Sequence, residues 1–251
     1  MRKLFGAAIA TAVLATTATV MTVTHGEPDG TRHPYVGIAL QPVTGGFVVC
    51  SGSFLSPTKF LTAAHCFDPS APALVSPANQ QPFPVVAGAV HNNPDWCFGC
   101  GAGIQGADTH DVAVITLSQP VLLSEYAALP SAHLVDSLPM MSFVDIVGYG
   151  VQGFVRGGGQ PQQIFTAVRF FAPSQLVQSN NPGSAELLKL TANPSKGTGG
   201  VCFGDSGGPD VLTGTNVVLG VNSFVTNNLC AGVTYSQRVD LPDILAFINS
   251  F

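Results

Sequence analysis

The hexapeptide Gly204-Asp205-Ser206-Gly207-Gly208-Pro209 decides how this chain is read. It sets a serine on a glycine-lined turn. A serine hydroxyl is a weak nucleophile at neutral pH. It needs an adjacent base and a site that stabilises the oxyanion it creates. Glycines beside the serine let the backbone turn sharply and bring N–H groups close to a substrate carbonyl. Taken alone, the stretch is also an ordinary turn between two strands, because Gly, Asp and Ser are the commonest turn residues. What separates the two readings lies upstream.

Gly204 to Gly208 satisfies G-x-S-x-G, the nucleophile elbow of α/β-hydrolases, but chain order rejects that reading. Such enzymes place their histidine after the serine, and no histidine follows His133 here. Two upstream signals remain. Thr62-Ala63-Ala64-His65-Cys66 follows the apolar pair Phe60-Leu61, and Asp111 opens the strand-like run Val112 to Leu117. The order His65, Asp111, Ser206 is that of chymotrypsin-like enzymes, whereas subtilisin-like enzymes put the acid first. With Thr-Ala-Ala-His-Cys and Gly-Asp-Ser-Gly-Gly-Pro both present and correctly ordered, residues 23–251 resemble a trypsin/chymotrypsin-family serine protease. The resemblance implies an all-β fold of two six-stranded antiparallel Greek-key barrels with a C-terminal helix. It places an N-terminal barrel at about 23–130 and a C-terminal barrel at about 131–251.

Composition agrees with a folded, exported chain. The 251 residues are 46% hydrophobic and 9% charged, with 28 Gly and 19 Pro, enough to build a core and unlike a disordered chain. The formal charge is −5, or −7 without Arg2 and Lys3, and no basic run occurs. Neither nucleic acid nor an anionic membrane is an expected partner. Residues 1–22 read as a signal peptide with room for a short pro-segment. Met1-Arg2-Lys3 is positive, Leu4 to Leu14 is apolar but too short to span a membrane, and small residues follow around Ala15 to Ala18. The expected product is secreted and monomeric. Six cysteines in an exported chain favour disulfides.

The remaining segments sort by pattern. Tyr35 to Leu40, Phe47 to Val49, Phe54-Leu55 and Phe60-Leu61 are short apolar runs between turns, as in a barrel. Residues 68–110 read mostly as loop. Residues 69–94 contain no Asp or Glu, so no calcium is expected there, and no metal or cofactor is expected elsewhere. Cys97-Phe98-Gly99-Cys100 is a lone C-x-x-C. It reads as a local Cys97–Cys100 disulfide or free thiols in an insertion; a thiol oxidoreductase built on it would lack the surrounding βα pattern. His110 reads as surface polar, and His25, His33, His91 and His133 as exposed loop residues without ligand spacing. Ile164 to Phe171, Leu187 to Leu190 and Val217 to Val221 read as strands, with Gly157-Gly158-Gly159 a mobile loop. Leu241, Ile244, Leu245 and Ile248 follow an acidic start at helical spacing.

The resemblance assigns roles residue by residue. His65 would be the general base, Asp111 its orienting partner and Ser206 the nucleophile. The Gly204 and Ser206 N–H groups would form the oxyanion hole. Cys50–Cys66 and Cys202–Cys230 match family disulfides. Val23 stands where the family's mature chain begins, and its freed ammonium would pair with Asp205. Thr22 precedes it in place of Arg or Lys, so activation by a trypsin-like enzyme is not supported. Alignment to Ser206 puts Gly200 at the floor of the primary pocket, with Ser223, Phe224 and Val225 as walls, and leaves Gly232 and Val233 competing for a further wall position. A floor without a carboxylate and a branched Val225 resemble elastase-type members, which implies cleavage of polypeptides after Ala or Val, with protein protease inhibitors as further partners. The alternative is a catalytically silent binding protein on the same fold.

Overall fold

Short strands form where β-branched and aromatic residues alternate between turn residues in the computed structural model, which describes residues 23–100, 104, 107–155, 157–178 and 185–251. The signal-like residues 1–22 lie outside the described residues. In the first half, β1 (Glu27–Pro28) is followed by β2 (Val36–Val43), β3 (Gly46–Phe54), β4 (Lys59–Thr62), β5 (Ala73–Ser76), β6 (Val86–Asn92) and β7 (Ala113–Leu117). Strands β2 to β7 close into a six-stranded barrel in the order β2-β3-β4-β7-β6-β5. Its core is built on Ile38, Phe54, Phe60, Leu61, Val114 and Ile115, with the Phe54 and Phe60 rings edge to face at 4.8 Å.

The second half contributes β8 (Phe143–Gly148), the hairpin β9 (Gly153–Val155) and β10 (Gln162–Ile164), β11 (Phe170–Gln178), β12 (Leu187–Ala192), β13 (Pro209–Leu212), β14 (Val218–Val225) and β15 (Gly232–Arg238). The sheet runs β11-β12-β15-β14-β13-β8 and closes through β8–β11 pairing, with β1 added at β11. The fold is therefore two closed six-stranded antiparallel barrels. Alternation is clear in β11, where Phe170, Ala172, Ser174 and Leu176 are buried and the residues between them are partly exposed. Phe170, Ala172 and Leu176 join Val144, Ile146, Leu188, Leu190 and Leu219 in the second core.

The chain ends cross between barrels. Strand β1 pairs with β11 of the second barrel, at Glu27–Phe171 and Pro28–Phe170. A short helix α1 (Leu134–Ser137) lies in the connection, and the terminal helix α2 (Pro242–Asn249) buries Ile244 and Ile248 against the first-barrel core. Pro242 opens α2, where its missing N–H is not needed, and Asp243 sits in the positive first turn. Lys59 Nζ donates to the Ile248 carbonyl at 3.1 Å, at the helix end where carbonyls lack partners.

Several expectations need correction. Residues 68–110 are mostly loop, as expected, but they also hold two barrel strands, β5 and β6. Their apolar residues are short runs among prolines, and the pairing that makes them strands is long-range. Residues 165–169 are not strand, so the expected Ile164–Phe171 strand is really the end of β10 and the start of β11. Gly157 to Gly159 lie exposed between β9 and β10. His33 is buried, not an exposed loop residue. Its Nδ1 is 2.5 Å from Asp29 Oδ1, while Arg169 Nε donates to Asp29 Oδ2 at 2.7 Å. Arg169 also donates to the carbonyls of Val36 and Gly30, tying the N-terminal segment to the second barrel.

One buried acid is left over. Asp210 on β13 is fully buried, and neither carboxylate oxygen has a hydrogen-bond partner among the described residues. The neighbouring Ser236 hydroxyl donates to Asn222 Oδ1 instead. Burial pushes Asp210 up from 3.8 to about 7. The folded state thus holds a proton that the unfolded chain releases above about 3.8. This contribution to stability is complete below that value, falls as pH rises towards 7, and is flat beyond. Asp210→Asn removes it. Relative to the parent, the variant will gain stability between pH 4 and 7, by roughly 4 kcal/mol at most, as read from denaturation midpoints across that range.

Candidate active site

His65 lies in a single 3₁₀ turn, Ala64–Cys66, directly after β4, and Cys66 is tied by a disulfide to Cys50 on β3. The bond holds the histidine turn against the barrel. Asp111 precedes β7, the strand paired with β4, so the register of two neighbouring strands brings acid and base together. Asp111 Oδ1 accepts from the His65 backbone N–H at 2.9 Å, and Oδ2 accepts from His65 Nδ1 at 2.7 Å. The Ser223 hydroxyl donates to the same Oδ2 at 2.5 Å. Asp111 has no exposed surface. Burial raises the carboxylate, but the His65 charge and the hydrogen bonds from His65 and Ser223 outweigh it and hold Asp111 below the usual range. Burial likewise opposes a charged His65, but Asp111, with a smaller contribution from Asp108, raises the imidazole above its ordinary value.

Ser206 comes from the other barrel. Ser51 on β3 holds its turn in place. The Ser51 N–H donates to the Ser206 carbonyl at 2.8 Å and the Ser51 hydroxyl donates to the Gly204 carbonyl at 2.9 Å. The Ser51 hydroxyl also accepts from the Tyr149 N–H at 3.0 Å. Asp205 turns inward and is fully buried. Its Oδ1 accepts from the Gly150 N–H at 2.8 Å and its Oδ2 from the Cys202 N–H at 2.9 Å. Burial still pushes Asp205 up to about 7 against those two donors. Gly204 takes φ +96°, which an L side chain rarely adopts, and a Cβ there would meet Gly150 Cα at 3.0 Å. The Gly204 and Ser206 N–H groups donate to no described residue. The Ser206 hydroxyl likewise makes no hydrogen bond to a described residue, but it shares a cavity with His65. Catalytic contacts often tighten only when substrate binds.

That cavity, of about 260 Å³, is walled by His65, Val201, Cys202, Phe203, Ser206, Ser223, Phe224 and Val225. The expected walls Ser223, Phe224 and Val225 are present, but Gly200 is not on the surface of the cavity. It lies behind, donating its N–H to the Thr24 carbonyl at 3.2 Å and packed against Ala192 and Thr234. Val201 takes the expected place of Gly200, while neither Gly232 nor Val233 reaches the lining. Cys202 and Cys230 are bonded beside the cavity. Val23 is buried in the second core, and Thr24 Oγ1 donates to the Gly200 carbonyl at 3.1 Å.

A second cavity, of about 590 Å³, shares His65, Ser223, Phe224 and Val225, and adds Trp96, Phe98, Ile104, Asp108 and Thr226. These four residues 96–108 were not legible as a site in sequence. The only cue was the chain's single tryptophan beside the C-x-x-C. Cys97 and Cys100 are bonded, and Cys97 exchanges backbone hydrogen bonds with Thr109, so the small loop holds Phe98 at the cavity. His65, Asp108 and Asp111 place ring and carboxylate atoms within 4.8 Å of one another. As a metal site the cluster is poor, because Asp111 already accepts three hydrogen bonds. His110, expected at the surface, is half-buried with Nε2 at 3.2 Å from Asp243.

The trypsin family model matches residues 23–244. The chain belongs to the trypsin family. Among curated relatives, serine protease SP24D of Anopheles gambiae is 29% identical over 210 residues, covering 82% of this chain and 73% of the relative. Two solved structures show the same trypsin-family fold. HL collagenase aligns with a TM-score of 0.63 at 21% identity, over 87% of this chain and 93% of its own. Human heparin binding protein aligns with a TM-score of 0.66 at 18% identity, over 91% and 96%. No helix among the described residues is long and apolar enough to cross a membrane.

In this trypsin-family site His65 is held charged more readily than a free histidine. Its ring will titrate above the ordinary 6.5, as followed by NMR. Asp111→Asn removes the largest favourable charge, leaves burial to dominate, and will bring the titration below that value.

Proposed function

We propose that this protein is a secreted serine endopeptidase that cleaves polypeptides after small aliphatic residues. The observation that carries the reading is the constellation at the barrel junction. A buried Asp111 holds His65 by both ring and backbone, and His65 shares a cavity with Ser206 on a turn that leaves two N–H groups undonated. In the proposed reaction Ser206 attacks the scissile carbonyl while His65 takes its proton and then passes it to the leaving amine. Asp111 keeps Nδ1 protonated and steadies the imidazolium. The Gly204 and Ser206 N–H groups receive the oxyanion, at about 3 kcal/mol for each donor. Water then attacks the acyl-enzyme by the same proton route.

Specificity is inferred from the cavity near Ser206. It carries no carboxylate, so a buried substrate cation would lack compensation. Val201 and Val225 narrow it to a slot for Ala or Val. Beyond Asn222, β14 has no β13 partner, which leaves the Ser223–Val225 edge open to pair with an extended substrate. Asp205 has no cationic partner among the described residues. We assign that role to the Val23 ammonium, freed by removal of the preceding residues. A protein beginning at Val23 should therefore be about a hundredfold more active than one extended past Thr22. Equal rates would remove the activation step.

The test of the whole reading is hydrolysis of chromogenic peptides with Ala, Val, Phe, Arg or Glu before the scissile bond. Turnover is expected with Ala and Val, and Ser206→Ala should reduce it roughly 10⁵–10⁶-fold. Val225→Gly should raise turnover of the Phe peptide by at least about tenfold. Turnover of Arg or Phe peptides by the parent would overturn the pocket but keep the triad. No hydrolysis by a protein starting at Val23 would favour the binding-protein reading.

A further inference from the structure

Asp108 is an acid that the proposed chemistry does not use. It is 9% exposed and stands in the wall of the 590 Å³ cavity among Trp96, Phe98, Ile104 and Phe224. Its Oδ1 accepts the Gly99 N–H at 2.8 Å. Among the described residues no Lys or Arg pairs with it, and none lines the cavity. An occupant that sealed the cavity with an apolar side chain would strip water from this carboxylate without replacing it. A cationic side chain would supply the missing charge, and its aliphatic stem and head would lie against aromatic faces that favour cations.

The position of this cavity says which substrate residue enters. It shares His65 and the Ser223–Val225 edge with the smaller cavity beside Ser206. Side chains of an extended peptide alternate in direction. When one residue fills the small cavity, the residue before it points away, towards His65 and Asp108. Resting on the protease reading for the direction of the peptide, we propose that the larger cavity is a second specificity site. It selects Lys or Arg immediately before the small residue at the cleavage point, with Asp108 as the specificity-determining residue.

Trp96 is the chain's single tryptophan and lines this cavity, so its fluorescence reports occupancy without turnover. The Ser206→Ala protein, starting at Val23, is titrated with acetylated peptide amides that end in Lys-Ala, Leu-Ala or Glu-Ala. The Lys peptide is expected to bind at least about tenfold more tightly than the Leu peptide, with the Glu peptide weakest. In Asp108→Asn the Lys-to-Leu ratio should fall to about one, and in Asp108→Lys the Glu peptide should overtake the Lys peptide. Reading a ratio keeps the result independent of any overall loss of folding. An unchanged ratio in Asp108→Asn, tighter binding of Leu than Lys by the parent, or no binding of any peptide would overturn the proposal. The matching chromogenic peptides are given to the protein with Ser206 intact. Charge-ordered binding without hydrolysis would sink the protease reading and leave the site standing. Hydrolysis without charge order would do the reverse.

Discussion

A carboxylate with no exposed surface, Asp205, sets the shape of the site. Two backbone N–H groups, from Gly150 and Cys202, satisfy its oxygens. To bring the carboxylate to them, the chain must turn inward at Asp205, between Gly204 and Ser206. The same geometry requires Gly150 to lack a side chain, since a Cβ there would meet Asp205 N at 2.6 Å. It also requires a positive φ at Gly204. Gly148 and Gly150 follow from burying one acid, since a Cβ on either would meet the Asp205 side chain, whereas Gly207 is kept bare by Thr62 and Ser51 and Gly208 by the Val147 carbonyl.

The second barrel supplies this turn, and the first barrel holds it. Ser51 binds both its Gly204 and its Ser206 carbonyl, and the Thr62 hydroxyl binds the Ser51 carbonyl at 2.8 Å just before the histidine turn. The nucleophile turn and the base turn are therefore anchored to the same residue of β3. The crossing ends work in the same direction. Strand β1 and the Asp29–Arg169 pair tie the start of the described chain to the second barrel, while α2 returns to the first. Relative motion of the barrels would break all of these contacts, so the distance between His65 and Ser206 is protected by the whole body of the protein.

Negative charge collects around His65. Asp111 is its direct partner and Asp108 lies within 4.8 Å, on the side of the larger cavity. A cluster of this kind favours a protonated imidazole, which is the state His65 must reach in the proposed mechanism. It also sets a carboxylate among the aromatic and aliphatic walls of the larger cavity. One side of the cleft is apolar and narrow, the other is wide and acidic, and Ser223 to Val225 form the wall between them.

The two-barrel fold and the residues of the candidate site were legible in sequence because short motifs with fixed backbone demands carried them. A histidine before a cysteine, an acid opening a strand, and a serine between glycines each specify local geometry, and their order selects one arrangement. The loop residues were not legible. Trp96, Phe98 and Asp108 acquire meaning only when the Cys97–Cys100 turn pairs with Thr109 and folds over His65. His33 looked like a loop residue because its partners, Asp29 and Asp145, are polar and one of them lies far away in sequence. Gly200 followed from counting back from Ser206, but Val201 reached the cavity because the Thr24 hydrogen bonds hold Gly200 behind it. Sequence by itself determined the residue types that can do the chemistry and the chain order that brings them together. Tertiary structure decided which side chains face the cleft, because facing is a property of long-range pairing and burial, and neither is written in local pattern.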